Sequence, residues 1–118
     1  MKIISWNVNG IRAVAKKGLL EFIEREDPDI LCVQETKAHP EQLDDSLLQP
    51  LGRLGFFSSA EKRGYSGTAT FLKFQPDDVR HGIRIKKFDS EGRFLVTEQE
   101  GFTLYNVYFP NGASSEER

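Results

Sequence analysis

The stretch Asp29-Ile-Leu-Cys-Val-Gln-Glu-Thr-Lys37 decides how this chain folds. Its four consecutive apolar residues, Ile30 to Val33, are too few for a helix of ordinary length and predict a strand buried on both faces. The polar group Gln34 to Lys37 follows at the carboxyl end of that strand, where ligands bind in open α/β sheets. Placing a carboxylate beside a buried strand, away from water, costs free energy unless the carboxylate is paired or holds a metal ion. Glu35 is therefore the first candidate for a functional residue.

A β-α-β unit surrounds this stretch. Lys2 to Val8 predicts a first strand, which the turn dipeptide Asn9-Gly10 ends. The apolar spacing from about Ala13 to Glu26 predicts one amphipathic helix, and Asp27-Pro28 ends it because the residue before proline is disfavoured in a helix. The strands on either side of the helix should be parallel and joined by a right-handed crossover.

Two polar residues mark the carboxyl ends of these parallel strands. Asn7 ends the first strand and Glu35 follows the second, so both should lie at the same edge of the sheet. Their side chains offer the hard oxygen ligands that suit Mg²⁺, which commonly keeps several waters and binds substrate phosphates. Each residue alone fits an ordinary polar strand end, and the prediction of a metal site depends on the pair.

The remainder of the chain predicts one short helix and a series of strands. Pro40 to Leu51 suits the helix, with Pro40 at an early position. The strands are predicted at Phe56–Ser59, Thr68–Lys73, Arg80–Ile85, Arg93–Gln99 and Phe102–Phe109. The turn Asp89 to Gly92 lies before the fourth of these. The order predicts an α/β fold with one mostly antiparallel, mixed sheet and helices on one of its faces.

Composition excludes several classes of protein. With 118 residues, 38% hydrophobic and 29% charged, the chain fits one small globular domain. The net charge of −2 does not by itself indicate a nucleic-acid partner. No apolar run approaches the roughly 20 residues of a membrane span, so no membrane association is expected. The single cysteine, Cys32, cannot form an internal disulfide and is compatible with the cytoplasm.

Basic and aromatic residues lie in or beside loops that could share one rim with Asn7 and Glu35. They could contact phosphates, although scattered surface charge is the usual alternative; they are Arg12, Lys37, Lys62, Arg63 and Tyr65. Tyr108 stands at the end of the last predicted strand, where it is either an ordinary strand aromatic or part of a site.

Four segments together resemble the exonuclease III family of abasic-site endonucleases, within the endonuclease/exonuclease/phosphatase superfamily. They are Ile3-Ile-Ser-Trp-Asn-Val-Asn-Gly-Ile-Arg-Ala13, Leu31-Cys-Val-Gln-Glu-Thr-Lys37, Gly64-Tyr-Ser-Gly67 and Asn106-Val-Tyr-Phe-Pro-Asn-Gly112. The resemblance implies a four-layered α/β sandwich of two β-sheets. It also implies Mg²⁺-dependent cleavage of double-stranded DNA, either 5′ to abasic sites or at damaged 3′ ends. Mn²⁺ is an alternative ion.

The resemblance implies a role for seven residues. Glu35 matches the metal ligand, Asn7 a ligand or orienter beside the metal, and Tyr108 the active-site tyrosine near the scissile phosphate. The positions matching phosphate or DNA-backbone contacts are Asn111, Arg12, Lys37 and Tyr65.

The chain also departs from the family in length. Members are about twice as long, and their second half supplies an Asp-x-Asn pair, a further aspartate and an Asp-His. Residues 1–118 therefore resemble the N-terminal half of the domain, ending at a helix-start signal within Ala113 to Arg118. This half alone is expected to be inactive and, with one face of its sheet bare, to self-associate. A phosphatase of small phosphoesters and a non-catalytic nucleic-acid-binding regulator on the same fold remain alternatives.

Overall fold

The computed structural model describes residues 1–61, 64–81 and 91–109. The strands are β1 (Ile3–Asn7), β2 (Ile30–Gln34), β3 (Leu54–Ser58), β4 (Thr68–Leu72), β5 (Asp78–Arg80), β6 (Phe94–Gln99) and β7 (Phe102–Val107). The α-helices are α1 (Ile11–Ala15), α2 (Leu19–Glu26) and α3 (Asp45–Leu48). Two 3₁₀ helices, Pro40–Gln42 and Pro50–Gly52, flank α3.

The described strands form two sheets. The first has the order β1-β2-β4-β3, with β1 and β2 parallel and the other pairs antiparallel. The predicted α/β class, the parallel β-α-β unit and the mixed sheet with helices on one face are confirmed. The sequence predicted that the later strands would extend this sheet, and that prediction was wrong. They form a second, antiparallel sheet with the order β5-β6-β7.

Strand β2 is buried on both faces because each face of the first sheet has its own cover. Leu31 and Val33 face α1 and α2 in one apolar cluster. Ile30 and Cys32 face the other way, toward Phe102, Leu104 and other residues of the second cluster. The expectation of a bare face was wrong for β2 and β4, which this chain's own second sheet covers, whereas Ile3 on β1 is still 47% exposed.

Cys32 belongs to this buried layer. Burial raises the pKa of its thiol to about 11, against a smaller opposing effect of a hydrogen bond with Thr70. The thiol therefore stays protonated near neutral pH, as suits a small packing residue rather than a nucleophile.

Both predicted helices are broken into shorter pieces. Gly18 adopts φ +107° and separates α1 from α2, which the continuous apolar spacing did not indicate. Leu43 is extended and Pro50 begins a separate 3₁₀ turn, so residues 40–52 form three short elements instead of one helix. No helix in the described ranges is long and apolar enough to cross a membrane.

Some sequence predictions lie outside the described residues. They are the end of the strand predicted at Arg80–Ile85, the first two residues of the turn at residues 89–92, and the helix-start signal at residues 113–118.

A buried arginine ties the end of α2 to the first sheet. Arg53 is 3% exposed and donates to the Pro28 carbonyl from Nε (3.1 Å) and Nη2 (2.9 Å). Nη2 also lies 2.9 Å from Asp27 Oδ1, which Lys73 Nζ approaches to 2.7 Å. Lys73, and then Arg53, lower the pKa of Asp27 below its ordinary 3.8. The stabilisation from the Asp27 carboxylate is therefore fully present above pH 3.8, the ordinary pKa of the group, and is lost as the pH falls through its lower pKa in the folded protein.

We expect Arg53→Met to lower the free energy of unfolding of the protein by about 1–3 kcal/mol, since it leaves a buried carbonyl without a donor. The matched control is Lys73→Met, which removes an exposed partner of the same Asp27 and should cost about 1 kcal/mol or less. Urea unfolding monitored by circular dichroism measures both. Equal losses would show that Arg53 acts only as a surface ion pair.

Candidate active site

Backbone hydrogen bonds join three loops at the carboxyl end of β2. They extend the sheet beyond its strands, from the loop after β1 across residues 35–37 to the loop before β4. The bonds run from Val8 N to Gln34 O (3.0 Å), Gly10 N to Glu35 O (2.7 Å), Ile11 N to Thr36 O (2.9 Å), Thr36 N to Gly67 O (3.1 Å) and Lys37 N to Ser66 O (2.8 Å). Side chains on these loops are therefore held by paired backbone.

The same loops concentrate backbone strain. Four non-glycine residues adopt the left-handed region there: Asn9 (φ 49°), Glu35 (φ 59°), Lys37 (φ 54°) and Ser66 (φ 50°). Such conformations cost about 1–3 kcal/mol each, and they cluster at functional sites where the surrounding structure imposes them. The hydrogen bonds between the loops provide that constraint here.

The Glu35 carboxylate is held from two sides. Asn7 Nδ2 donates to Oε1 (3.2 Å), and Lys37 Nζ lies 3.4 Å from Oε2. The side chain is 21% exposed, so water and a ligand can reach it. The structure thus brings Asn7, Glu35 and Lys37 together, as the sequence indicated.

Asn7 has the orientation of a supporting residue. Its Oδ1 accepts a hydrogen bond from the Asn9 backbone N–H (3.0 Å), and this fixed donor determines which amide atom points where. The Asn7 amino group therefore faces Glu35, and its oxygen faces away. Of the two roles predicted for Asn7, ligand or orienter, this geometry favours the orienter.

Asn9 is a site residue that the sequence did not reveal. Its Oδ1 accepts a hydrogen bond from Lys37 Nζ (2.7 Å), so the Lys37 ammonium contacts oxygens of both Asn9 and Glu35. In the sequence, Asn9-Gly10 indicated only a turn. The spacing of Asn7 and Asn9 on either side of Val8 is the one signal that both could reach the same edge.

The donor set at this edge fits a hard divalent cation. Glu35 and Asn9 present oxygens, and the Lys37 ammonium already occupies a cationic position between them. Within residues 1–61, 64–81 and 91–109 no group of three or more His, Cys, Asp or Glu side chains could hold a metal. A small protein ligand set of this kind suits Mg²⁺, which retains several waters.

Two of the predicted phosphate-contacting residues flank the carboxylate. Arg12 is exposed on α1, and its Nη2 donates to the Lys37 carbonyl (3.3 Å). Tyr65 is 38% exposed on the loop before β4, and its hydroxyl donates to Glu91 Oε1 (3.3 Å). The residues Lys62, Arg63 and Asn111, also predicted here, lie outside the described residues.

Tyr108 follows β7 directly. Its backbone N–H donates to the Arg93 carbonyl (2.9 Å). Two residues earlier, Asn106 Oδ1 accepts a hydrogen bond from Gln34 Nε2 (2.9 Å), so the end of β7 adjoins the end of β2. The second sheet therefore brings the end of β7, which Tyr108 follows, next to the strand that precedes Glu35.

The chain belongs to the Endonuclease/Exonuclease/phosphatase family, whose profile matches residues 4–117. It is 45% identical over 119 residues to an exodeoxyribonuclease of Bacillus subtilis, covering 100% of this chain and 46% of that protein. It is 41% identical over 114 residues to a DNA-(apurinic or apyrimidinic site) endonuclease of Dictyostelium discoideum, covering 97% of this chain and 31% of that protein. The predicted resemblance to abasic-site endonucleases and exonucleases is confirmed.

Solved structures show the same fold. The APE2 catalytic domain of Xenopus laevis superposes with a TM-score of 0.80 at 34% identity, over 94% of this chain and 46% of that one. An AP endonuclease from Archaeoglobus fulgidus superposes with a TM-score of 0.83 at 29% identity, over 99% of this chain and 45% of that one. The chain thus spans less than half the length of these relatives.

We expect Gly67→Ala to destabilise the complete protein more than Gly64→Ala. Both residues have positive φ, +95° and +75°, so alanine at either should cost about 1–3 kcal/mol from backbone strain. A Cβ at Gly67 would also overlap Oγ1 of the buried Thr36, which adds an overpacking cost of about 1–3 kcal/mol, whereas a Cβ at Gly64 meets open space. Urea unfolding measures the difference, and equal losses would mean that the loops are not packed as described.

Proposed function

We propose that the complete protein is a DNA-repair nuclease that uses a divalent metal ion to hydrolyse the phosphodiester 5′ to abasic sites, or to process damaged 3′ ends. The observation that carries the proposal is the Lys37 ammonium between the oxygens of Glu35 and Asn9 at the end of β2. The names of the relatives, an abasic-site endonuclease and an exodeoxyribonuclease, support the reaction and DNA as its substrate. Double-stranded DNA containing abasic sites or damaged 3′ ends is part of the same proposal.

The chain's own residues can hold and orient the metal. Glu35 would be the ligand, Asn9 a second oxygen donor, and Asn7 the group that fixes the carboxylate. Mg²⁺, or Mn²⁺ in its place, would offset the negative charge that develops on the phosphoryl oxygens. Lys37 would add positive charge beside the same phosphate.

The exposed rim would hold the DNA backbone without reading its sequence. Arg12 and Lys37 supply charge, and Tyr65 offers a hydroxyl and a ring face on the adjoining loop. Asn111 belongs to the same proposal as a phosphate contact. The Tyr108 hydroxyl would donate a hydrogen bond to the phosphate as charge develops on its oxygens.

We also propose that a second half of the fold completes the site. Strands β1 and β7 are edges of their sheets among the described strands, and neither contains a charged residue. Ile3 is 47% exposed on one edge and Tyr105 is 58% exposed on the other. Edges without charges readily accept further strands. The extra length of the relatives is enough to supply such strands, together with groups that activate water.

The competing functions make different demands on the site. A non-catalytic nucleic-acid-binding regulator would not need the charge of Glu35, and a phosphatase of small phosphoesters would not need the Arg12 rim. We further propose a cytoplasmic location, which the buried free thiol of Cys32 supports.

We expect Glu35→Gln in the complete protein to leave the fold intact and to slow Mg²⁺-dependent incision of an abasic duplex by a hundredfold or more. At ~4 Å and an effective dielectric near 20, the lost charge is worth about 4 kcal/mol to a unit positive charge. Each increase of about 1.4 kcal/mol in the activation barrier slows the reaction tenfold, so even part of this lost energy would reduce the rate strongly. The control is Glu24→Gln on the exposed side of α2, which should incise normally. Normal incision by Glu35→Gln at low Mg²⁺ would overturn the metal assignment.

We expect Tyr108→Phe to reduce kcat by ~10²–10³ with little change in DNA affinity, because a single positioned donor is lost. Tyr105→Phe, on the exposed edge of the same strand, is the matched control and should retain activity. Single-turnover incision with fluorescence anisotropy on the same duplex separates chemistry from binding. If Tyr108→Phe turns over like the unaltered protein, Tyr108 is a packing residue.

We expect residues 1–118 alone not to incise abasic DNA. Among the described residues no group of three or more His, Cys, Asp or Glu side chains could hold a metal ion. A metal ion held by Glu35 and Asn9 alone would leave the attacking water without a general base. The test compares this chain, the complete protein and this chain mixed with the remaining polypeptide, each with Mg²⁺ and with EDTA. Mg²⁺-dependent incision by this chain alone, free of host nuclease, would contradict the expectation.

A further inference from the structure

The layer between the two sheets changes from apolar to polar beneath the proposed active site. At the far end, Ile30, Cys32 and Leu72 pack against Phe102 and Leu104. At the end nearest Glu35, the layer consists of polar side chains that bond across the sheets; they are Gln34, Thr70 and Asn106.

Asn106 connects three strands with one buried side chain. It is 1% exposed, and its Nδ2 donates to the Ala69 carbonyl (2.8 Å), Thr70 Oγ1 (3.1 Å) and, at greater length, the Val33 carbonyl (3.4 Å). Its Oδ1 accepts from Gln34 Nε2 (2.9 Å). Both amide hydrogens and the oxygen are used, so the burial of this polar group is compensated.

Gln34 connects Asn106 to the strand that precedes Glu35. Its Nε2 donates to Asn106 and also to Ser5 Oγ (3.0 Å), which spans β1, β2 and β7. The next residue is Glu35, in its left-handed conformation. Two residues after Asn106, directly after the end of β7, comes Tyr108.

We infer that the Gln34–Asn106 amide pair positions Glu35 and Tyr108 relative to each other. Apolar contacts tolerate sliding of one sheet over the other, whereas a pair of directional amide bonds fixes where β2 and β7 end. Neither amide needs to touch DNA or metal, so both are positioning residues. The inference rests on the proposed function of the Glu35 site.

The test is Gln34→Met in the complete protein, which keeps an unbranched side chain of similar length and removes both donors. We expect the affinity for Mn²⁺, titrated without DNA and followed by electron paramagnetic resonance, to fall about 10- to 100-fold, as for other residues that orient metal ligands. kcat for abasic incision should fall by a similar factor, while KM for the duplex stays within about threefold.

Two controls separate positioning from general stability. Ser5→Ala removes the second acceptor of the same Gln34 amide and keeps its hydrogen bond to Asn106, so Mn²⁺ affinity should be unchanged. Arg53→Met weakens a buried contact with Pro28 and Asp27, outside the Gln34–Asn106 network, and should lower the unfolding midpoint without changing Mn²⁺ affinity.

The outcomes are distinguishable. Mn²⁺ affinity and kcat of Gln34→Met within twofold of the unaltered protein would overturn the inference and leave the proposed function standing. An equal loss of Mn²⁺ affinity in Arg53→Met would also overturn it, because the effect would then follow stability. Failure of the unaltered protein to bind Mn²⁺ would overturn the proposed function, and this inference with it.

Discussion

The backbone hydrogen bonds between the loops at the end of β2 are the constraint on which the active edge depends. They hold Glu35 and Lys37 in left-handed conformations that neither residue would adopt freely. Because the backbone is fixed on both sides, by residues 8–11 and by residues 66–67, the Glu35 carboxylate has little freedom to turn away. In the proposed function its position is determined before the metal ion or the substrate binds, which would lower the entropy lost on binding.

The second sheet joins packing to function. On the side far from the site it buries apolar surface, and this holds the two sheets together. Near Glu35 it provides Asn106, so one strand both covers β2 and reaches its carboxyl end, where the proposed site lies. The two edge strands leave the fold open to further strands. This fits relatives of which this chain spans less than half the length.

The sequence predicted the parts of the fold that local patterns control. Ile30 to Val33 indicated the buried strand, and the β-α-β order brought Asn7 to Glu35. The break at Gly18 was missed because the apolar spacing continues across it. The second sheet was missed because strand alternation does not show which strands pair, and Asn106 was missed because an asparagine within a strand has no local signature. Both depend on contacts between residues far apart in the chain.

Anomalous diffraction from crystals of the complete protein grown with Mn²⁺ tests the central claim most directly. The account predicts a manganese peak at bonding distance from a Glu35 carboxylate oxygen, with Asn9 beside it and the Lys37 ammonium displaced from its position between the two. The same crystals of Glu35→Gln should lose that peak. A manganese peak elsewhere in the protein, with Lys37 still bonded to Glu35 and Asn9, would contradict the account.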